Sequence, residues 1–133
     1  YALNFSKNID KLIGIAAAPD FTKDLLWKEL SDHNKAKIRA NKTIKKRISN
    51  AFTYQYSPKL FKNSKDYFIK DTNKKFLKET ILFHGDKDMT VPRSYNDKFF
   101  TNSNFSKLIN ITIKNADHSM SDEISLNTIS KFI

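Results

Sequence analysis

Apolar positions along the chain gather into a few short blocks separated by charged stretches. Leu12-Ile13-Gly14-Ile15-Ala16-Ala17-Ala18 is a run stopped by Pro19-Asp20. Both of its faces are apolar, as in a strand buried within a parallel sheet. A second such run, Thr80-Ile81-Leu82-Phe83-His84, ends at Gly85-Asp86, and a third, Leu108-Ile109-Asn110-Ile111-Thr112-Ile113, ends at Lys114-Asn115. Between the first two the period changes. Phe21 to Leu30 sets Phe21, Leu25, Leu26 and Leu30 near one face of a helix with charges opposite. Thr43 to Tyr56 places β-branched and aromatic residues on both sides of Ser49-Asn50, which predicts a hairpin. Ser57-Pro58 predicts a helix start, with serine as N-cap, proline in the first turn, and Leu60, Phe61, Tyr67 and Phe68 on the buried side. A helix after Val91-Pro92 buries Phe99 and Phe100, and Asp122 to Ile133 closes the chain as a helix carrying Ile129, Phe132 and Ile133 at i, i+3, i+4.

The resulting order is strand, helical insertion, strand, helix, strand, helix, an α/β pattern with a parallel sheet. Three parallel strands leave two open edges, and such sheets normally hold more strands with helices on both faces. The expectation is therefore a sheet that began upstream of Tyr1. The chain opens on Tyr1 without a basic-then-apolar leader after it, which reads as a start cut from something longer or processed. Its 133 residues amount to one domain or part of one, and 39% hydrophobic residues suffice for a modest core. No run approaches 18 apolar residues, so no membrane span is expected. The chain has no cysteine, which excludes disulfides, thiolate nucleophiles and cysteine-bound metal and fits a reducing, cytoplasmic setting.

Charge changes the picture only locally. The formal net charge is +10, yet Lys28 to Lys78 alone hold 15 basic and 4 acidic residues, and the remainder is close to neutral. A surface for nucleic acid or another anionic partner is one reading. A solvated lysine-rich surface is the other, favoured because only Arg39, Arg47 and Arg93 are arginines, the better phosphate fork. No specific nucleic acid is expected as a partner.

The candidate chemistry lies just past two strand ends, where open α/β sheets place their ligands. The first stretch is His84-Gly85-Asp86-Lys87-Asp88-Met89-Thr90-Val91-Pro92, in which Gly85 allows a sharp turn and Asp88 sits on it. Asp86 and Asp88 suggest an acidic metal loop, but Thr90-Val91-Pro92 interrupts the run of oxygen ligands such a loop needs. The second stretch is Ala116-Asp117-His118-Ser119-Met120. The 30 residues from Asp88 to His118 leave room for one helix and one strand, so both would stand at the same edge of neighbouring strands. A carboxylate bonded to one imidazole nitrogen fixes the tautomer and frees the other nitrogen to take a proton. Acid after one strand and histidine after the next is the tail of the order Ser…Asp…His. The plainer readings are a turn-forming aspartate for Asp88 and a surface histidine for His118. His84 reads as structural and His33 as solvated, neither with a carboxylate partner of that kind. Ser94, Ser119 and Ser121 lie near the motifs without occupying a strand-turn-helix elbow.

His84-Gly-Asp-Lys-Asp88-Met-Thr-Val-Pro92 resembles the HGxxDxxVP element that carries the acid in many α/β-hydrolases, and Asp117-His118-Ser119 resembles their histidine loop. Leu12 to Phe21 resembles the strand leading into the cap of a narrower group. That group comprises small bacterial hydrolases of the prolyl-oligopeptidase-like type and a mitochondrial acyl-protein thioesterase. The resemblance implies the carboxyl-terminal half of a serine α/β-hydrolase, with a cap from about residue 21 to residue 76 inserted in a partial hydrolase domain. It implies Asp88 and His118 as triad members, an ester or thioester of a small or acyl substrate, and no metal or organic cofactor. The nucleophile elbow G-x-S-x-G is missing, since the only glycines are Gly14 and Gly85, and with it go the oxyanion donors. The serine is then expected upstream, on a complementing amino-terminal half, and this chain alone is expected to be inactive. The alternative is a catalytically inactive remnant, or a binding module that uses the lysine-rich cap on an anionic partner.

Overall fold

The computed structural model describes residues 2–47, 53–101 and 104–133, apart from the side chain of Thr101. The chain divides into two compact units, one made of residues 1–19 and 70–133, the other of Asp20–Ile69.

The first unit is built on strand β1 (Lys11–Ile15), whose last residue is followed by Ala16 in the left-handed region at φ 46°. The Ala16 N–H donates to the carbonyl of Phe83 at 2.9 Å, carrying the ladder one residue past the strand. Gly14 has a packing reason, because a Cβ there would come within 2.7 Å of Leu82 Cδ2 on the neighbouring strand. The second unit follows.

In that unit the expected first helix forms with an altered winding. Thr22–Leu26 coils as a π-helix and runs into the short α1 (Trp27–Glu29). The i→i+5 coil shifts the face away from strict helical spacing. Leu26 and Leu30 are buried as expected, but Leu25 is only half-buried and Phe21 is exposed. Helix α2 (Asp32–Arg39), absent from the sequence reading, starts at Ser31, whose hydroxyl accepts the Asn34 N–H at 3.3 Å. Its last turn holds Lys37 and Arg39, well placed against the negative helix end. Strands β2 (Ile44–Arg47) and β3 (Thr53–Tyr56) pair antiparallel with Ile44 opposite Tyr56, while the predicted turn at Ser49-Asn50 lies outside the described residues.

Helix α3 (Pro58–Ser64) begins at the expected proline, though the Ser57 hydroxyl makes no cap bond. After Ser64 the chain tightens into a 3₁₀ turn, Lys65–Tyr67. The predicted face is therefore not continued, and Tyr67 stands exposed while Phe61 is buried. Leu26, Leu30, Ile38, Ile44 and Phe61 form a small core of this unit's own, with Trp27 edge-on to Phe61 at 5.3 Å.

The first unit resumes with β4 (Phe76–Gly85), α4 (Arg93–Thr101), β5 (Phe105–Ile113) and α5 (Glu123–Ser130). Phe76, expected at the end of the insertion, is instead the first residue of β4, fully buried with its ring 6.1 Å from that of Phe105. The sheet is parallel throughout, in the order β1-β4-β5. One core lies between sheet and α5, made of Ala16, Ile81, Phe83, Ile113, Ala116, Met120 and Ile129, with Phe132 packed on Phe83 at 5.5 Å. Burying a side chain such as that of Phe83 contributes roughly 1.5–3 kcal/mol. The last helix stops at Ser130, so Ile133 does not continue the Ile129 face and is exposed. Residues Thr80, Leu82 and His84, of the opposite parity on β4, are buried as well, so the central strand is covered on both faces. Among the described residues no helix is long and apolar enough to cross a membrane.

Candidate active site

Strand register brings the two motif loops together. Leu82 lies opposite Asn110, His84 opposite Thr112 and Gly85 opposite Ile113, so β4 and β5 end side by side. Their loops are then stitched by three bonds. The Asp86 N–H donates to Ile113 O at 3.1 Å, the Lys87 N–H to Ala116 O at 3.0 Å, and the Asn115 N–H to Asp86 Oδ1 at 2.6 Å. Asn115 takes a left-handed φ of 63°, which asparagine tolerates. Gly85 was expected for a sharp turn, but it is not at positive φ. Its role is space: a Cβ would fall 2.3 Å from Ala116 O and 2.7 Å from Asp117 O. The loops can touch only because this residue has no side chain.

Asp88 is 7% exposed and uses both carboxylate oxygens. Oδ1 accepts the N–H groups of Thr90 and Val91, each at 2.8 Å. Oδ2 lies 2.9 Å from His118 Nδ1. Burial alone would push this carboxyl up. The Val91 N–H, the His118 ring and the Thr90 N–H together outweigh it and hold Asp88 below the usual carboxylate range. Because an ionised carboxylate is acceptor-only, Nδ1 of His118 must carry the proton. Nε2 is then the basic nitrogen, on a side chain 42% exposed.

The histidine loop is shaped by its own aspartate. Asp117 Oδ1 accepts the Ser119 hydroxyl at 2.6 Å, the Ser119 N–H at 2.9 Å and the Met120 N–H at 3.2 Å. The bonds from Ser119 and Met120 lower the Asp117 carboxyl below its ordinary value. Met120 is buried with φ 47°, a strained conformation for a residue other than glycine, and it anchors the loop in the core. Asp122 caps α5 through the Ser125 N–H at 3.0 Å.

The remaining candidates separate cleanly. His84 is 6% exposed, with Nε2 2.9 Å from Val91 O and Nδ1 2.7 Å from the Asn96 amide nitrogen. It lies nearer the acid than expected, its Nε2 3.6 Å from Asp88 Oδ2, outside hydrogen-bond reach. His33 is exposed on α2. Among the described residues none of Ser94, Ser119 and Ser121 bonds to His118, and the Ser119 hydroxyl is committed to Asp117. Among the described residues no cluster of histidine, aspartate and glutamate able to hold a metal is present. Asn96 was missed by sequence reasoning, since an asparagine inside a helix carries no motif. Only its register on α4 under the end of β4 gives it away.

No protein-family model matches the chain, and no curated protein matches it. Solved structures do. A protein described as a hydrolase from Agrobacterium vitis S4 superposes with a TM-score of 0.83 at 17% identity, covering 98% of this chain and 54% of its own. Alpha/beta hydrolase domain-containing protein 10 from mouse superposes at 0.79 with 18% identity, again over 98% of this chain and 54% of its own. The chain thus has the α/β-hydrolase fold and spans about half the length of the solved structures it matches. A match over nearly all of this chain and about half of each neighbour fits a carboxyl-terminal half of that fold.

Proposed function

We propose that this chain is the acid–base half of a serine α/β-hydrolase that cleaves carboxylic esters or thioesters. The observation that carries the reading is the 2.9 Å contact between Asp88 Oδ2 and His118 Nδ1, made by a histidine whose side chain is 42% exposed. In this scheme a serine on a complementing amino-terminal half approaches Nε2. Nε2 removes the hydroxyl proton as the oxygen attacks the acyl carbon, and Asp88 stabilises the resulting imidazolium. The imidazolium returns that proton to the departing alkoxide or thiolate, leaving an acyl-serine. Water then repeats the cycle, giving its proton to Nε2 and releasing the acid. The reaction as drawn uses no metal or organic cofactor, and a reducing, cytoplasmic setting belongs to the same reading.

The test is a short-chain ester assay on the 133-residue chain alone and joined to a serine-bearing amino-terminal half. The chain alone should hydrolyse no faster than free imidazole at equal concentration. The joined protein should turn over, and His118→Ala should remove that turnover. If the joined, folded protein is inert, the reading fails. The lysine-rich segment then becomes the better lead, as a binding surface.

A further inference from the structure

We infer that His84, locked in one tautomer by Asn96, is a positioning residue that aims the Asp88 carboxylate at His118. The catalytic purpose of this aim rests on the function proposed above, but the relay itself is a matter of hydrogen bonds within one unit. It starts on α4, where the Asn96 amide nitrogen meets His84 Nδ1 at 2.7 Å, both residues being buried. The other ring nitrogen, Nε2, faces the carbonyl of Val91 at 2.9 Å. A carbonyl only accepts, so Nε2 carries the hydrogen. Nδ1 of the neutral ring is then an acceptor, and the Asn96 amide donates to it. The Asn96 carbonyl oxygen has no partner among the described residues, so the side chain is engaged through its NH₂ end.

Val91 is the next link. It is 3% exposed, its C=O is held by His84, and its N–H donates to Asp88 Oδ1 at 2.8 Å. Pro92 behind it confines Val91 to extended backbone. Val91 is therefore fixed at its N–H, its carbonyl and its side chain, and Asp88 Oδ1 is fixed with it. The second oxygen is left pointing at His118. His84 Nε2 also lies 3.6 Å from Oδ2, too far to compete for the His118 bond. Two imidazoles thus serve one carboxylate, one bonded to it and the other steering it through the backbone.

The experiment is ¹⁵N and ¹H spectroscopy of the full chain with labelled histidines, read at two places: the His118 Nδ1 proton and the Val91 amide proton. In the unaltered chain His84 should appear as the Nε2–H tautomer. His84→Leu, which keeps bulk but not the donor, should speed solvent exchange of the His118 Nδ1 proton about tenfold, the order of one lost hydrogen bond. It should also move the Val91 amide upfield. Asn96→Leu should act in the same direction and release the His84 tautomer. His84→Gln, whose amide reaches the position of Nε2, should restore both signals. The inference is overturned if folded His84→Leu and Asn96→Leu leave both signals unchanged, or if His84→Gln is no better than His84→Leu. Folding is read from the Phe83, Ile129 and Phe132 resonances. Should His84→Leu fail that check, Asn96→Leu and His84→Gln decide the matter by themselves. If the His118 proton is absent from the unaltered chain while Val91 still responds, the catalytic reading fails and the relay stands.

Discussion

The two members of the candidate pair are held in opposite ways. Asp88 is sunk to 7% exposure with both oxygens engaged and its surroundings fixed by Val91, Thr90 and the sheet end. His118 is attached by one nitrogen, on a loop shaped by Asp117, and its ring stands partly in solvent. The difference follows from what each must do in the proposed reaction. An orienting acid works best preorganised, because a carboxylate that must reorganise loses the electrostatic gain it provides. A base must reach its proton donor, so one face has to stay open. Asp88 is fixed by bonds within this chain, and the His118 side chain stays partly open to solvent.

The comparison can be broken hardest at the pair itself. In a protein joined to a serine-bearing half, His118→Ala should abolish turnover. Asp88→Asn should lower kcat by about 10⁴ while leaving the fold intact, the cost of the wrong tautomer in triads of this kind. Steady-state ester hydrolysis checks both. Equal loss from Asp88→Asn and from an exposed control such as Asp32→Asn would remove the distinction between buried acid and bystander.

Next in size is Gly85→Ala. The added methyl meets backbone atoms of Ala116 and Asp117, which cannot yield as a side-chain tip would. Unfolding in urea should show a loss of about 3 kcal/mol, at the upper end for overpacking, because the two loops must part. A change below about 0.5 kcal/mol would mean the loops are not held as closely as described.

The acid side should also be visible in the pH dependence of stability. Asp88 sits below its ordinary value in the folded chain, so as pH falls the unfolded chain takes up that proton first. The stability contributed by the ionised group is full above the unfolded value, about pH 4, and is lost as pH drops through the lower folded value. Asp117 and Asp122 are lowered too and share this acid limb. Asp88→Asn should therefore make the limb shallower without flattening it, measured as the urea midpoint between about pH 2 and pH 5. An unchanged slope would contradict the set of bonds assigned to Asp88.

The smallest effect is expected at the third histidine. His33 is exposed on α2, and His33→Ala should change stability by less than about 0.5 kcal/mol and leave ester turnover unaltered. The surrounding lysines should bind a polyanion weakly, with affinity falling steeply as salt rises, as counterion release requires. Tight binding at physiological salt would reassign this segment.

What was legible in the sequence is instructive by location. The three strands announced themselves as short apolar runs, but only the central one, β4, is covered on both faces, as Ile81-Leu82-Phe83 show, while Ile15 on β1 and Ile109 on β5 stand exposed at the sheet edges. The contact between Asp88 and His118 was legible because a 30-residue spacing leaves room for one helix and one strand and sets both at the same sheet edge. The insertion was read less well. Helical spacing points Phe21 and Tyr67 inward, yet a π-coil and a 3₁₀ turn, neither announced by composition, redirect them. Helix α2 has a clear start at Ser31-Asp32 but gives little periodic signal, because its face has little apolar content beyond Ile38. The supports of the site were hidden for another reason. Gly85 works through a backbone 31 residues away and Asn96 through a buried ring, and contacts between such distant positions leave no mark on periodicity.

The tautomer of His118 tests the central claim most directly. In the ¹⁵N spectrum of the chain at neutral pH, its neutral form should carry the hydrogen on Nδ1 and leave Nε2 bare. Asp88→Asn should shift that population toward Nε2–H, since the amide can donate to Nδ1 instead of accepting from it. A neutral His118 already protonated on Nε2, and indifferent to Asp88→Asn, would contradict the acid–base pair on which the account rests.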